Sequence, residues 1–82
     1  PQGGYMVPGT LRPDELLAQT GIEVDEDGPY ETLAGFVMNE LGEIPQIGDV
    51  VRAGDVELEV VAMQGRRVTR LHVTVKPEGA QP

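Results

Sequence analysis

Apolar residues recur along this chain with two different periods, and the change of period marks its elements. Tyr5-Met6-Val7 is a short apolar run closed by Pro8-Gly9, which reads as a brief strand and a turn. From Thr10 the text TLRPDELLAQTG predicts a short helix. Pro13 suits a first helical turn, Asp14 and Glu15 complement the positive end of the helix dipole, and Gly21 supplies a left-handed stop. A second helix follows from Thr32 as its cap, with Leu33, Phe36, Val37 and Leu41 at helical spacing and Gly42 at its end. Beyond Pro45 and Gly48 the period drops to two. Runs over Asp49 to Ala53, Val56 to Met63 and Val68 to Val75 are parted by Gly54-Asp55 and Gly65-Arg66, both hairpin-type turns.

In the middle run Val56, Leu58 and Val60 share a face opposite Glu57 and Glu59. In the last, Leu71, Val73 and Val75 oppose Arg70, His72 and Thr74. Each strand therefore has one wet face, and the helices must cover the other. The predicted fold class is α+β: a small antiparallel sheet, made of a three-strand C-terminal meander plus a short N-terminal strand, covered on one face by two helices. The short first strand and the last strand are expected to leave sheet edges open to pairing. Residues 1–4 read as a linker, 5–76 as the domain and 77–82 as a disordered tail. An opening of Pro1-Gln2-Gly3-Gly4 reads as a domain cut from something longer.

Eighty-two residues with one Phe, two Tyr and no Trp allow one modest, mainly aliphatic core. With no cysteine there is no disulfide, thiolate nucleophile or cysteine-based metal site. A net charge of −8 repels phosphate backbones, so nucleic acid is not an expected partner. No apolar run approaches the roughly 20 residues of a membrane span, so direct membrane insertion by this segment is not expected either. The charge is also polarised. Pro1 to Glu59 hold 13 acidic and 2 basic residues, whereas Val60 to Pro82 hold 1 and 4.

The sequence lacks phosphate-cradling loops, HExxH, GxSxG and any Cys/His ligand pair, and its one histidine, His72, falls on a polar strand face. No catalytic residue is assigned. Glu23, Asp25, Asp27 and Gly28 occupy the first, third, fifth and sixth places of an EF-hand-like loop, but the twelfth, which needs a bidentate Glu, is Ala34. The cluster Glu23, Asp25, Glu26 and Asp27 thus reads as a solvated loop, able at most to hold Mg²⁺ or Ca²⁺ weakly. No resident cofactor is expected. Arg66, Arg67 and Arg70 form a basic patch around the last turn, suited to an anion or to an acidic partner surface, in cis or on a neighbouring copy. A homodimer is one such pairing.

From Tyr30 to Val75 the sequence resembles the CorC/HlyC transporter-associated domain. The shared pattern is a Thr-capped helix with Gly in its first turn (Thr32, Gly35), a Leu-Gly-x-Ile-Pro exit (Leu41, Gly42, Ile44, Pro45), Gly48-Asp49 before a strand, and Gly65-Arg66-Arg67 before the last one. The upstream YMVPGTLRPDELLAQTGI is similar to the family's opening, so the likeness covers residues 5 to 75. The resemblance implies a non-catalytic regulatory domain on the cytoplasmic face of the cell membrane, following a membrane region and paired CBS domains in a haemolysin-like magnesium and cobalt efflux protein. Its partners would be the rest of its own transporter chain. The resemblance also implies a fold similar to part of FAD-binding PCMH-type domains. That leaves open an alternative, a sensor of an adenine nucleotide or flavin with Arg66 and Arg67 as anion contacts.

Overall fold

The computed structural model describes residues 4–24, 28 and 30–75. Its elements run β1 (Tyr5–Pro8), α1 (Pro13–Thr20), α2 (Leu33–Leu41), β2 (Val50–Ala53), β3 (Val56–Gln64) and β4 (Arg67–Val75). All four strands form one antiparallel sheet in the order β1-β4-β3-β2. The expected α+β class is thus the observed one, with one correction at the edges. The last strand is not an edge: β1 pairs along β4 from Tyr5↔Val73 to Pro8↔Arg70, so the free edges are β1 and β2.

Both helices end where the sequence places their stops, at Gly21 and Gly42 in left-handed geometry. At the start of α1, Glu15 Oε1 accepts the Arg12 backbone N–H at 3.0 Å, satisfying a donor that the helix itself leaves unpaired. α2 begins on Thr32, whose hydroxyl oxygen accepts the Gly35 N–H at 3.1 Å. Its next free donors are taken by the loop after β1: the Leu33 N–H donates to the Leu11 carbonyl at 2.8 Å and the Ala34 N–H to that of Gly9 at 2.9 Å. The first turn of α2 is thereby tied to the end of β1. Thr32→Ala is expected to lower unfolding free energy by about 1 kcal/mol, read as a shift of the urea midpoint at unchanged slope.

Strand β2 starts one residue later than the alternation suggests, because Gly48 and Asp49 form a bulge. The Gly48 N–H donates to the Val60 carbonyl at 2.8 Å while the Val60 N–H donates to that of Asp49 at 2.9 Å, so two residues face one. Gly48 has φ +100°, which an L side chain rarely adopts, and the turn is clasped by Gln46 N–H donating to Asp49 Oδ2 at 2.8 Å.

The core lies between the helices and one sheet face. Leu16 of α1 and Leu33, Phe36 and Val37 of α2 join Val7, Val51, Leu58, Val60, Leu71 and Val73 in one buried cluster. Tyr30 adds an edge-on aromatic contact to Phe36, ring centroids 5.1 Å apart. Among the described residues no polar side chain is buried. Two compensating irregularities interrupt the β3–β4 ladder: Val60↔Leu71 is followed by Ala62↔Arg70 and then by Met63↔Val68. Val61 is therefore extra on one strand and Thr69 on the other, and each strand's inward set shifts by one residue beyond that point. Val68 is buried as a result, although it stands three residues, an odd number, from buried Leu71.

Candidate functional site

The β3–β4 hairpin carries the basic patch. Gly65, at φ +62°, and Arg66 make the turn, and Arg67 opens β4 opposite Gln64. In an unbroken strand Arg67 and Arg70 would point to opposite faces. The extra residue Thr69 changes that: with Val68 and Leu71 buried, Arg67 and Arg70 are both exposed on the face away from the helices. Arg66, Arg67 and Arg70 make no ion pair with any described residue, in contrast to Arg52, whose Nη2 lies 2.9 Å from Glu57 Oε2. The irregular ladder thus gathers, at one end of the open sheet face, guanidinium groups that pair with no described residue. A guanidinium fork suits a carboxylate or phosphate on another molecule.

The open face continues across the sheet. His72 pairs with Met6 on one side and Glu59 on the other, and Glu59 pairs with Val50. His72, the one histidine of the chain, is half-buried among these neighbours.

Of the four carboxylates expected as a weak metal cluster, Glu23 is exposed, and Asp25, Glu26 and Asp27 lie outside the described residues. Among the described residues no group of three or more His, Cys, Asp or Glu side chains could hold a metal ion, so the placed donors do not make a site. Glu23 instead borders two adjoining open hollows beside the β2–β3 turn. One, of about 580 Å³, is lined by Ile22, Glu23, Asp55, Val56 and Val75 among others. The second, of about 390 Å³, is lined by Glu23, Phe36, Glu40 and Arg52 together with the turn. Each has two carboxylates in its wall, which opposes the phosphates of a nucleotide or flavin. The hollows were not foreseen from sequence, since Glu23, Glu40 and Asp55 are far apart in the chain.

Comparison with known proteins bears on what such a surface serves. The family profile of CorC_HlyC, the transporter associated domain, matches residues 1–77. This chain belongs to the CorC_HlyC family. CorC_HlyC domains are accessory modules and not enzymes, in agreement with the lack of a catalytic constellation in the sequence. Among curated relatives, the UPF0053 protein sll0260 of Synechocystis sp. is 40% identical over 79 residues, covering 93% of this chain and 18% of that protein. The polyamine export protein of Salmonella typhimurium is 32% identical over 74 residues, covering 89% and 17%. The chain thus spans less than a fifth of either relative.

Solved structures show the same architecture. A conserved domain from Neisseria meningitidis MC58 superposes with a TM-score of 0.76 at 35% identity, covering 90% of this chain and 99% of that one. The CorC_HlyC domain of a Xylella fastidiosa Temecula1 hemolysin, in complex with Mg²⁺ and Mn²⁺, gives 0.75 at 29% identity, covering 88% and 86%. No helix among the described residues is long and apolar enough to cross a membrane.

Proposed function

We propose that this CorC_HlyC domain regulates a membrane cation transporter from the cytoplasmic side, by docking on the rest of its own transporter chain, including the membrane region and CBS domains that the family likeness implies. The observation that carries this reading is the hairpin of Arg66, Arg67 and Arg70, exposed and without ion-pair partners among the described residues, in a family of transporter-associated domains. Docking alters transport if the hairpin meets the open and closed transporter with different affinity, and only by that difference. Such couplings amount to about 1–3 kcal/mol, a roughly 5- to 150-fold shift in a binding equilibrium.

The cargo follows from the parent and not from this domain. Magnesium and cobalt efflux is the reading we favour, and the Salmonella relative's name adds organic polycations to the class. The divalent ions of the Xylella domain belong to that protein. Among the described residues Glu23 is the one carboxylate of the expected cluster, and no metal-holding group is found there, so the regulatory role is derived without a metal.

The test is transport in cells or vesicles carrying the full-length parent. Arg66→Glu with Arg67→Glu, and separately deletion of the whole domain, are expected to shift the cation concentration for half-maximal export several-fold without changing the amount of protein in the membrane. Identical export curves for both variants and the wild type would refute the role.

A further inference from the structure

We infer that the open face of the sheet is a self-complementary surface on which a second copy of this chain docks, sheet against sheet. This deepens the reading of the domain as a docking module by naming one partner, and its test reads association alone.

The inference rests on the order of side chains across the strands. Register places Met6, His72, Glu59 and Val50 in one row, running from edge strand β1 through β4 and β3 to edge strand β2. The row is apolar at both ends, with Met6 57% and Val50 47% exposed. Its centre has opposite character on neighbouring strands. β4 presents the donors Arg70 and His72, and β3 presents the acceptor Glu59 beside Glu57, which is already paired with Arg52 of β2. All lie on the side opposite the helices, because their chain neighbours Leu58, Val60, Leu71 and Val73 are buried beneath them.

Two aligned twofold arrangements can stack this face on its own copy. In one the symmetry axis crosses the strands, β3 lies over β3 of the second copy, and Glu59 meets its own like charge. In the other the axis runs along the strands between β3 and β4. There β4 covers β3 of the second copy, His72 stands over its Glu59, and Met6 stands over its Val50. Like charges across a contact repel and opposite character fixes orientation, so the second arrangement is selected. Aligned packing of antiparallel sheets at about 10 Å separation is a standard geometry for such faces.

The contact is weak by its size. Four strands about 4.8 Å apart, two of them four residues long, offer on the order of 400 Å² per copy, half of the roughly 800 Å² that a standard stable interface takes from each partner. The free chain should therefore associate only at high concentration, while copies held side by side on neighbouring transporter chains pair through their raised effective concentration.

The natural chain has no cysteine, which makes the test clean. Two variants, Met6→Cys and Val50→Cys, are mixed at about 1 mM and treated with a bismaleimide spanning about 10 Å, the separation of packed sheets. With one cysteine per chain, only links between copies can form. The mixed sample is expected to give a covalent dimer several-fold more abundantly than either variant alone, since the selected arrangement brings Met6 to Val50 and keeps like positions apart. In parallel, sedimentation of the unmodified chain is expected to move from 8.8 kDa at about 10 µM toward twice that mass at about 1 mM. Glu59→Arg should abolish the rise, and adding His72→Glu should restore it, with circular dichroism confirming folded chains. A one-chain mass at 1 mM, equal crosslinking in all three samples, or no rescue by the double change would each overturn the inference. These outcomes do not depend on transport, so they are separable from failure of the regulatory role.

Discussion

Leu58→Ala is expected to cost about 2–5 kcal/mol, the range for truncating a wholly buried leucine. Leu58 is 0% exposed and sits at the middle of the sheet, in register with Val51 on β2 and Val73 on β4, which are also buried. Strands on both sides and helices above leave little room for collapse into the vacated space. At roughly 0.05–0.15 kcal/mol per residue, a domain of this length has about 4–12 kcal/mol in total, so the loss takes much of its margin. Thermal unfolding should move down by roughly 8–40 °C, at about 4–8 °C per kcal/mol for a domain of this size. Val50→Ala, on the exposed face of β2, should shift the same transition only slightly. Equal shifts for the two variants would mean that the sheet does not bury the face described.

Gly9→Ala is expected to destabilise as strongly, for a different reason. Gly9 needs no unusual φ; it needs the absence of a side chain. A β-carbon there would run into the Val68 carbonyl oxygen, with the Val68 carbonyl carbon at 3.0 Å and Ala34 Cβ at 3.2 Å. The backbone of Gly9 is also a three-way joint. Its N–H donates to the Thr69 carbonyl at 3.1 Å, and its carbonyl accepts from the first turn of α2. Room can be made only by moving β1 off β4 or α2 off the loop, and either movement breaks a hydrogen bond and loosens the core, at a combined cost of about 2–4 kcal/mol. Chemical denaturation of the variant checks this. In amide hydrogen exchange, lost protection should concentrate at Ala34 and along β1, whereas Leu58→Ala should lower protection throughout the sheet.

The two substitutions also show what could be read from residue order alone. Leu58 is legible: it alternates with Glu57 and Glu59 in a run bounded by turn residues, and the pattern forces it inward. The helix ends at Gly21 and Gly42 and the cap at Thr32 were legible too, because each depends on a residue's own backbone preference. Gly9 was read only as part of a turn, since its role comes from Val68 and Ala34, which only folding brings near. The shift in the β3–β4 ladder was hidden in the same way. Its one trace is the odd spacing of Val68 and Leu71, which simple alternation cannot accommodate if both are buried. That shift decides the candidate site, because it brings Arg67 to the face occupied by Arg70. The arginines themselves stood out by composition. The row from Met6 to Val50 did not, because strand order is a long-range property and the N-terminal strand inserts beside the last one.

The pairing of β1 with β4 has a consequence for how the domain can be divided. Tyr5 and Val73, near opposite ends of the described chain, are cross-strand neighbours, so the first strand closes the structure over almost its whole sequence. A fragment begun after Gly9 would keep both helices and the meander, yet it would strip one long side of β4 of its hydrogen-bonding partners. Nine-residue β4 would then stand as a bare border of unmet N–H and C=O groups, a template for adding strands from other molecules, and such a fragment is a recipe for aggregates.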